Sequence, residues 1–231
     1  MPNKSDLAYQ HLRAAIISGD IAPDIPLRIA TLGKDTGFGS TPVREALRRL
    51  EAESLVVSEV NCGFRSAPVS LEEFKDLENS RLTVETALLR ESIEQGDDAW
   101  EAGVVAAFYQ FSKLDPPVDM PDVLTQNVWA QRHQAFHDAL IAGSGAKWLN
   151  VFQKQINEQL LRKFKFTMTD ASLRQLDADE SLKDLLRQSL EPRHHKLLME
   201  ATLDRDSPRA VALLEEHIQF AARFFAKCFP E

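Results

Sequence analysis

The stretch Thr41–Glu53, TPVREALRRLEAE, decides how this chain is read. Thr41 is a good N-cap, Pro42 suits the first helical position, and Glu45 belongs in the first turn. Val43, Ala46, Leu47 and Leu50 fall on one face, so the segment is an amphipathic helix running to about Glu53. Arg44 and Arg48 lie one turn apart on another face, with Arg49 beside them. Upstream, Ser5 is a candidate cap for a helix over 6–18 with Leu7, Ala8, Leu12, Ala15 and Ile16 as its stripe, and Gly19 stops it. Residues 22–26 read as a loop, a short helix follows around Ile29–Asp35, and residues 36–40 read as a turn. Downstream, two extended runs, 55–60 and 64–67, flank the turn Asn61-Cys62-Gly63, and Pro68 ends the unit. Three helices with a Gly-containing turn between the second and third, then a hairpin, make a winged helix-turn-helix.

The rest of the chain has a different character. It holds 231 residues with 44% hydrophobic and 27% charged side chains, as in a globular protein. No apolar run approaches the roughly 20 residues needed to span a bilayer, and the first residues carry no secretory pattern. Two cysteines, Cys62 and Cys228, make no disulfide framework, so a reduced, cytoplasmic setting is expected. The net charge is -8, yet residues 1–69 hold eight Lys/Arg against eight Asp/Glu. Residues 70–231 therefore carry the whole excess and repel phosphate, which confines any nucleic-acid contact to the first segment.

Residues 70–231 read as about six helices without strands, an all-α bundle. Ser70 caps the first, over 71–95; further helices are expected over 99–114, 123–141, 148–166, 182–199 with an interruption at Pro192, and 208–225. Residues 167–180 are polar and acidic and read as a long loop. The fold expected is thus mainly α, with a winged helix-turn-helix over 1–69 and a helical domain over 70–231.

Thr41–Glu53, the upstream Leu12–Gly19, and the downstream Leu55-Val56 and Gly63-Phe64-Arg65 together resemble the GntR family of bacterial transcription regulators. The helical remainder resembles that family's FadR-type effector domain, often called FCD. The resemblance implies a homodimer on a palindromic operator, a transcription regulator rather than an enzyme, most often a repressor. Thr41 and the helix start then hold a phosphate, Arg44 reaches a guanine edge, Arg48 and Arg49 follow along the helix, and Arg65 contacts DNA from the wing. The family commonly has Arg before the Thr-Pro; here Ser40 stands there, so one contact is missing.

His133 and His137 sit at i and i+4, with His195 and His217 on two later helices. Imidazoles from three helices are one way to build a metal site in a bundle, although the spacing alone is equally that of ordinary polar or half-buried histidines. Metal-binding FCD domains carry Asp-x-x-Phe-His and two later histidines about 22 residues apart. His137, His195 and His217 match these positions, and His133 occupies the Asp position. The resemblance thus implies a divalent transition metal, with Zn or Ni suited to nitrogen ligands, and a small carboxylate effector. Arg81 and Glu85 match the family's Arg-x-x-x-Glu, in which the Arg points into the ligand cavity; an i, i+4 surface ion pair is the plainer alternative. Arg162 and Lys163 are further cationic candidates. Two rival functions are a helical domain that only dimerises and a histidine-ligated metalloenzyme. The second is poorly supported, since the one Glu-x-x-His segment, 191–194, is interrupted by Pro192.

Overall fold

The structure is a computed structural model that describes residues 3–59, 63–116, 123–167 and 179–228. By contacts the chain divides into two compact units, residues 1–77 with 155–170, and residues 78–154 with 171–231.

The first unit starts with α1 (Lys4–Ser18), β1 (Pro26–Leu27), α2 (Ile29–Asp35), α3 (Ser40–Ala52), β2 (Val56–Glu59) and β3 (Gly63–Ser66). Its core is Ala8, Leu12 and Ile16 of α1 against Val43, Ala46, Leu47 and Leu50 of α3, closed by Leu27, Leu55 and Val56. Thus the apolar stripes expected on the two helices meet each other. The sheet order is β1-β3-β2, all antiparallel, with Pro26 opposite Arg65 and Val56 opposite Ser66.

Three details depart from the sequence reading. Asn3, not Ser5, caps α1, its side chain accepting the Asp6 N–H at 2.8 Å, while Ser5 instead donates to Glu45 Oε2 at 2.5 Å. Gly39, not Thr41, caps α3; its φ of 85° is a conformation that L side chains avoid, and Pro42 still falls in the first turn, where no N–H is required. Residues read as a loop supply β1, since a two-residue edge strand beginning with proline gives no alternation to detect. The Asn61-Cys62 turn, and with it Cys62, lies outside the described residues.

Among its described residues, the second unit is built of helices and short connections, without strands. It takes most of α4 (Leu71–Gln95), then α5 (Asp98–Phe111), α6 (Val123–Ile141), the first part of α7 (Lys147–Thr167), α8 (Glu180–Leu190), α9 (Pro192–Leu203) and α10 (Ser207–Cys228). Ser70 does cap α4, its Oγ accepting the Glu73 N–H at 3.1 Å. The interruption expected at Pro192 is a complete break, because proline takes the first position of a new helix. Phe111, Phe136, Leu88, Leu89, Leu198, Leu214, Phe224 and Phe225 are buried and form its core. Most of the segment expected to be a loop over 167–180 lies outside the described residues. Among those described, no helix is long and apolar enough to cross a membrane.

Gly96 separates α4 from α5 for a steric reason. A Cβ there would lie 2.1 Å from the Trp100 ring. The ring cannot retreat, because its Nε1–H donates to the Ala139 carbonyl at 2.9 Å. Gly96→Ala should therefore destabilise the protein by about 1–3 kcal/mol, the usual range for overpacking. Urea unfolding checks this; an unchanged midpoint would show that the ring yields.

Candidate DNA-recognition surface and histidine site

Helix α3 buries its apolar stripe and exposes Thr41, Arg44, Arg48 and Arg49. Among the described residues, Arg44 and Arg48 carry no ion pair. Arg49 is committed elsewhere: it donates to Asp6 Oδ1 at 2.8 Å and its guanidinium lies 3.9 Å from the centre of the Tyr9 ring. That pair braces α3 against α1 and holds the cationic face in place. Arg65 lies on β3, donates to the Asp24 carbonyl and sits 3.4 Å from Asp24 Oδ1. The surface is thus a helix with two unengaged arginines next to a wing with a partly engaged one.

The four histidines of the second unit converge. His133 and His137 come from α6, His195 from α9 and His217 from α10, and one ligand atom from each lies within 4.8 Å of the others. His133 Nε2 is 3.0 Å from His195 Nε2 and 3.2 Å from His137 Nε2. His137, His195 and His217 are buried and His133 is half-buried. The site sits among aromatic rings: Phe111 packs edge-on against His195, and Trp129 stacks on His133 at 4.6 Å. His195 Nδ1 is 2.8 Å from the Glu191 carbonyl, which can only accept. The proton is therefore on Nδ1, and the Nε2 lone pair faces the cluster, as backbone bonds orient metal-ligating imidazoles. His217 Nδ1 is buried without a hydrogen-bond partner.

Burial is the main cause that holds all four rings below the ordinary imidazole pKa, His195 at about 4, and neighbouring charges add to the lowering at each ring. Neutral rings are what a metal requires. A tetrahedral ion with Zn–N bonds of about 2.0–2.1 Å holds its nitrogens about 3.3 Å apart, close to the 3.0 and 3.2 Å of the two pairs above. The donor set therefore fits a divalent transition metal. His194 is not part of it; its Nε2 lies 2.9 Å from the Leu213 carbonyl.

Because these pKa values are lower in the folded than in the unfolded chain, the native state binds fewer protons. Stability is then intact above pH 6.5 and lost as pH falls, by about 1.4 kcal/mol per pH unit for each fully buried imidazole. His133, partly exposed, contributes least. Glu78 opposes the trend, since its raised pKa favours folding as pH drops from about 7 towards 4.5, but one carboxyl is outnumbered by the rings. Metal-free protein is expected to melt at lower temperature at pH 5 than at pH 7. Calorimetry at the two values checks it, and a pH-independent melt would contradict neutral buried histidines.

Arg81 lies on α4 and its charge is felt by all four rings. It is not on the surface: its Nε donates to Glu85 Oε1 at 3.1 Å, and Glu78 Oε2 is 3.7 Å away. Burial works against its charge, and the two carboxylates outweigh that and raise its pKa. Glu78 is the member that sequence reasoning missed, although Glu78-x-x-Arg81 places it on the same helix face. Burial is the main cause that pushes its carboxyl up to about 7. Arg162 and Lys163 are not beside this site. They belong to the first unit, where Arg162 bonds the Ala67 and Pro68 carbonyls and Lys163 pairs with Glu73.

Comparison with known proteins gives the geometry a context. Residues 4–65 match the bacterial regulatory proteins of the gntR family, and residues 76–220 match the FCD domain. The HTH-type transcriptional repressor GlaR of Escherichia coli is 32% identical over 210 residues, covering 91% of this chain and 90% of that protein. The HTH-type transcriptional regulator BphR of Paraburkholderia xenovorans is 31% identical over 215 residues, covering 93% of this chain and 82% of that protein. Among solved structures, Escherichia coli McbR/YncC shares the fold with a TM-score of 0.66 at 18% identity, covering 98% of this chain and 99% of that one. The chain belongs to the GntR family, carries an FCD domain behind its winged helix-turn-helix, and is a DNA-binding transcription regulator rather than an enzyme.

Proposed function

We propose that this regulator is a cytoplasmic homodimeric repressor whose hold on its operator is released by a small carboxylate bound at the histidine site. The observation that carries the reading is the convergence of four neutral imidazoles from three helices, with the half-buried Arg81 close enough for its charge to act on all four. A helical domain that served only for dimerisation would have no use for such a site, since buried polar groups are costly to assemble. His133, His137, His195 and His217 hold a divalent transition metal, for which Zn and Ni suit the nitrogen donors. An ion held there would supply a positive centre, which a carboxylate oxygen would join as a further ligand beyond the four nitrogens. Four neutral rings leave the full divalent charge in place, so the site draws anions more strongly than one containing an aspartate. Arg81 is the second anchor for the anion, and Glu85 orients its guanidinium.

On the DNA side, Thr41 binds a phosphate, Arg44 reads a base edge, Arg48 extends the contact and Arg65 reaches DNA from the wing. Arg49, already paired with Asp6, has the lesser part. The repressor GlaR offers a precedent for the direction of control. A carboxylate shifts operator affinity only if it binds one arrangement of the dimer better than the other.

A thermal-shift screen of small mono-, di- and tricarboxylates against metal-loaded protein tests the reading. A ligand present at 100 times its Kd should stabilise by about 2.7 kcal/mol. The same ligand should weaken operator binding in an anisotropy titration. A carboxylate that stabilises the protein without altering its DNA affinity would overturn the regulatory reading.

A further inference from the structure

Helix α5, within the helical unit, is apolar nearly all round. Its charged residues, Asp98 and Glu101, stand in the first turn, and none follows from Ala102 to Phe111. Trp100, Val104 and Phe111 are buried and account for one side. The other side is exposed and holds Ala102, Gly103, Val105, Ala106, Tyr109 and Gln110. Val105 is 47% exposed and Tyr109 56%. A helix without a polar face is ordinarily covered on every side, and a contiguous exposed apolar patch marks an interaction surface. Arg132 of α6 donates to the Gln110 carbonyl at 2.9 Å, and the exposed Val128, one turn before it, extends the patch.

Gly103 supplies an independent observation. A glycine inside a helix is destabilising relative to alanine. A Cβ at Gly103 would meet nothing within 4 Å, so packing within the chain does not require the glycine. A side chain arriving from outside would.

We propose that this face receives a second copy of the chain, α5 packing antiparallel on α5 about a two-fold axis through Ala106. This rests on the reading of the protein as a homodimer and adds the location of its seam. Across such an axis, a residue a given distance before the centre meets the residue the same distance after it. Gly103 and Tyr109 each lie three residues from Ala106. The Tyr109 ring of each copy therefore enters the gap that Gly103 leaves in the other.

The charges agree with the same axis. Asp98 lies eight residues before Ala106 and Lys113 seven after, so opposite charges come level at both ends of the seam. Lys113 stands over the Tyr109 ring at 4.0 Å, and together with Arg132 it outnumbers Asp115 at that end. At the other end Arg205 is engaged by Glu101, and Asp98 stays exposed. The middle is uncharged, as an isologous seam requires, because groups near the axis face their own kind. Residues 70–231 carry the whole net charge of -8, and this neutral strip is where a copy can approach without like-charge repulsion. A partner of other chemistry would need neither the neutral middle nor the reversed ends.

Sedimentation equilibrium on the full chain tests the seam. Wild type should be a dimer. Gly103→Leu fills the gap for Tyr109 and should raise the dimer dissociation constant by about 10-fold or more, as overpacking does. Its helix content by circular dichroism should not fall, since the added side chain meets nothing within the chain. Ala106→Glu sets two carboxylates face to face on the axis and should raise the constant by about 100-fold or more. Unchanged dimer affinity in either variant would overturn the proposal and leave the homodimer standing. A monomeric wild type would sink the homodimer reading, and this proposal with it.

Discussion

His137→Ala should purify without metal, while wild type carries close to one equivalent of a divalent transition ion per chain. His137 Nε2 is 3.2 Å from His133 Nε2, and its ring stacks on that of His217 at 4.7 Å. Its removal takes away a donor at the centre of the set and leaves a void in a core that also contains Phe136. Loss of an outer-shell partner alone typically weakens metal binding 10–100-fold, so losing a ligand should exceed about 100-fold. Metal analysis after dialysis reads stoichiometry directly, and competition with a chromophoric chelator reads affinity. Metal held equally tightly by the variant would remove His137 from the site. No metal in wild type, even after reconstitution, would sink the histidine cluster as a ligand site. The effector search would then move to Arg81 and the carboxylates around it.

Arg44→Ala should weaken binding to an operator recovered by selection from random duplexes by about 1–3 kcal/mol, the value of one good bidentate base contact. Arg44 is exposed near the start of α3 and has no ion pair among the described residues, so its removal should leave folding unchanged. It should also relax the base preference at one position of each half-site. Arg48→Ala should lower affinity more evenly across sequences and reduce the salt slope, as expected of a phosphate contact. Arg49→Ala differs again, because Asp6 and Tyr9 lose a partner and the protein itself should melt earlier. Anisotropy titrations at two salt concentrations separate these cases. If Arg44→Ala binds the selected operator as tightly as wild type, the exposed face of α3 is not the reader.

Most of the architecture could be read from residue order. The stripe on α3 and the breaks at Gly19 and Gly96 are local signals, and the helices follow from them. Strand β1 could not be read this way, because it exists only through pairing with β3, about 40 residues later. The two caps each shifted by two positions: Asn3 offers an acceptor as good as that of Ser5, and Gly39 starts α3 through its backbone conformation, with no side-chain bond to signal it. At the site, the i, i+4 spacing showed that His133 and His137 share a face. That His195 and His217 meet them depends on how α9 and α10 pack, which spacing does not encode. Glu78 was overlooked for a related reason: a carboxylate three residues from an arginine is commonplace on a surface and becomes informative only once the carboxylate is buried. Arg162 was assigned to the wrong neighbourhood because sequence order placed it in the helical domain, whereas the helix that carries it continues into the other unit.

The composition of the first unit has a consequence for recombination. The DNA reader of this chain is not a cassette that ends at the linker, since residues 155–167, late in sequence, complete it. A chimera joined near residue 69 would import a foreign α7 and lose together Glu158, the partner of Arg13, Gln159, which holds the Glu53 carbonyl, and Arg162, which holds the two linker carbonyls. Functional swaps between relatives should succeed only when positions 13, 158, 159 and 162 are transplanted as a matched set.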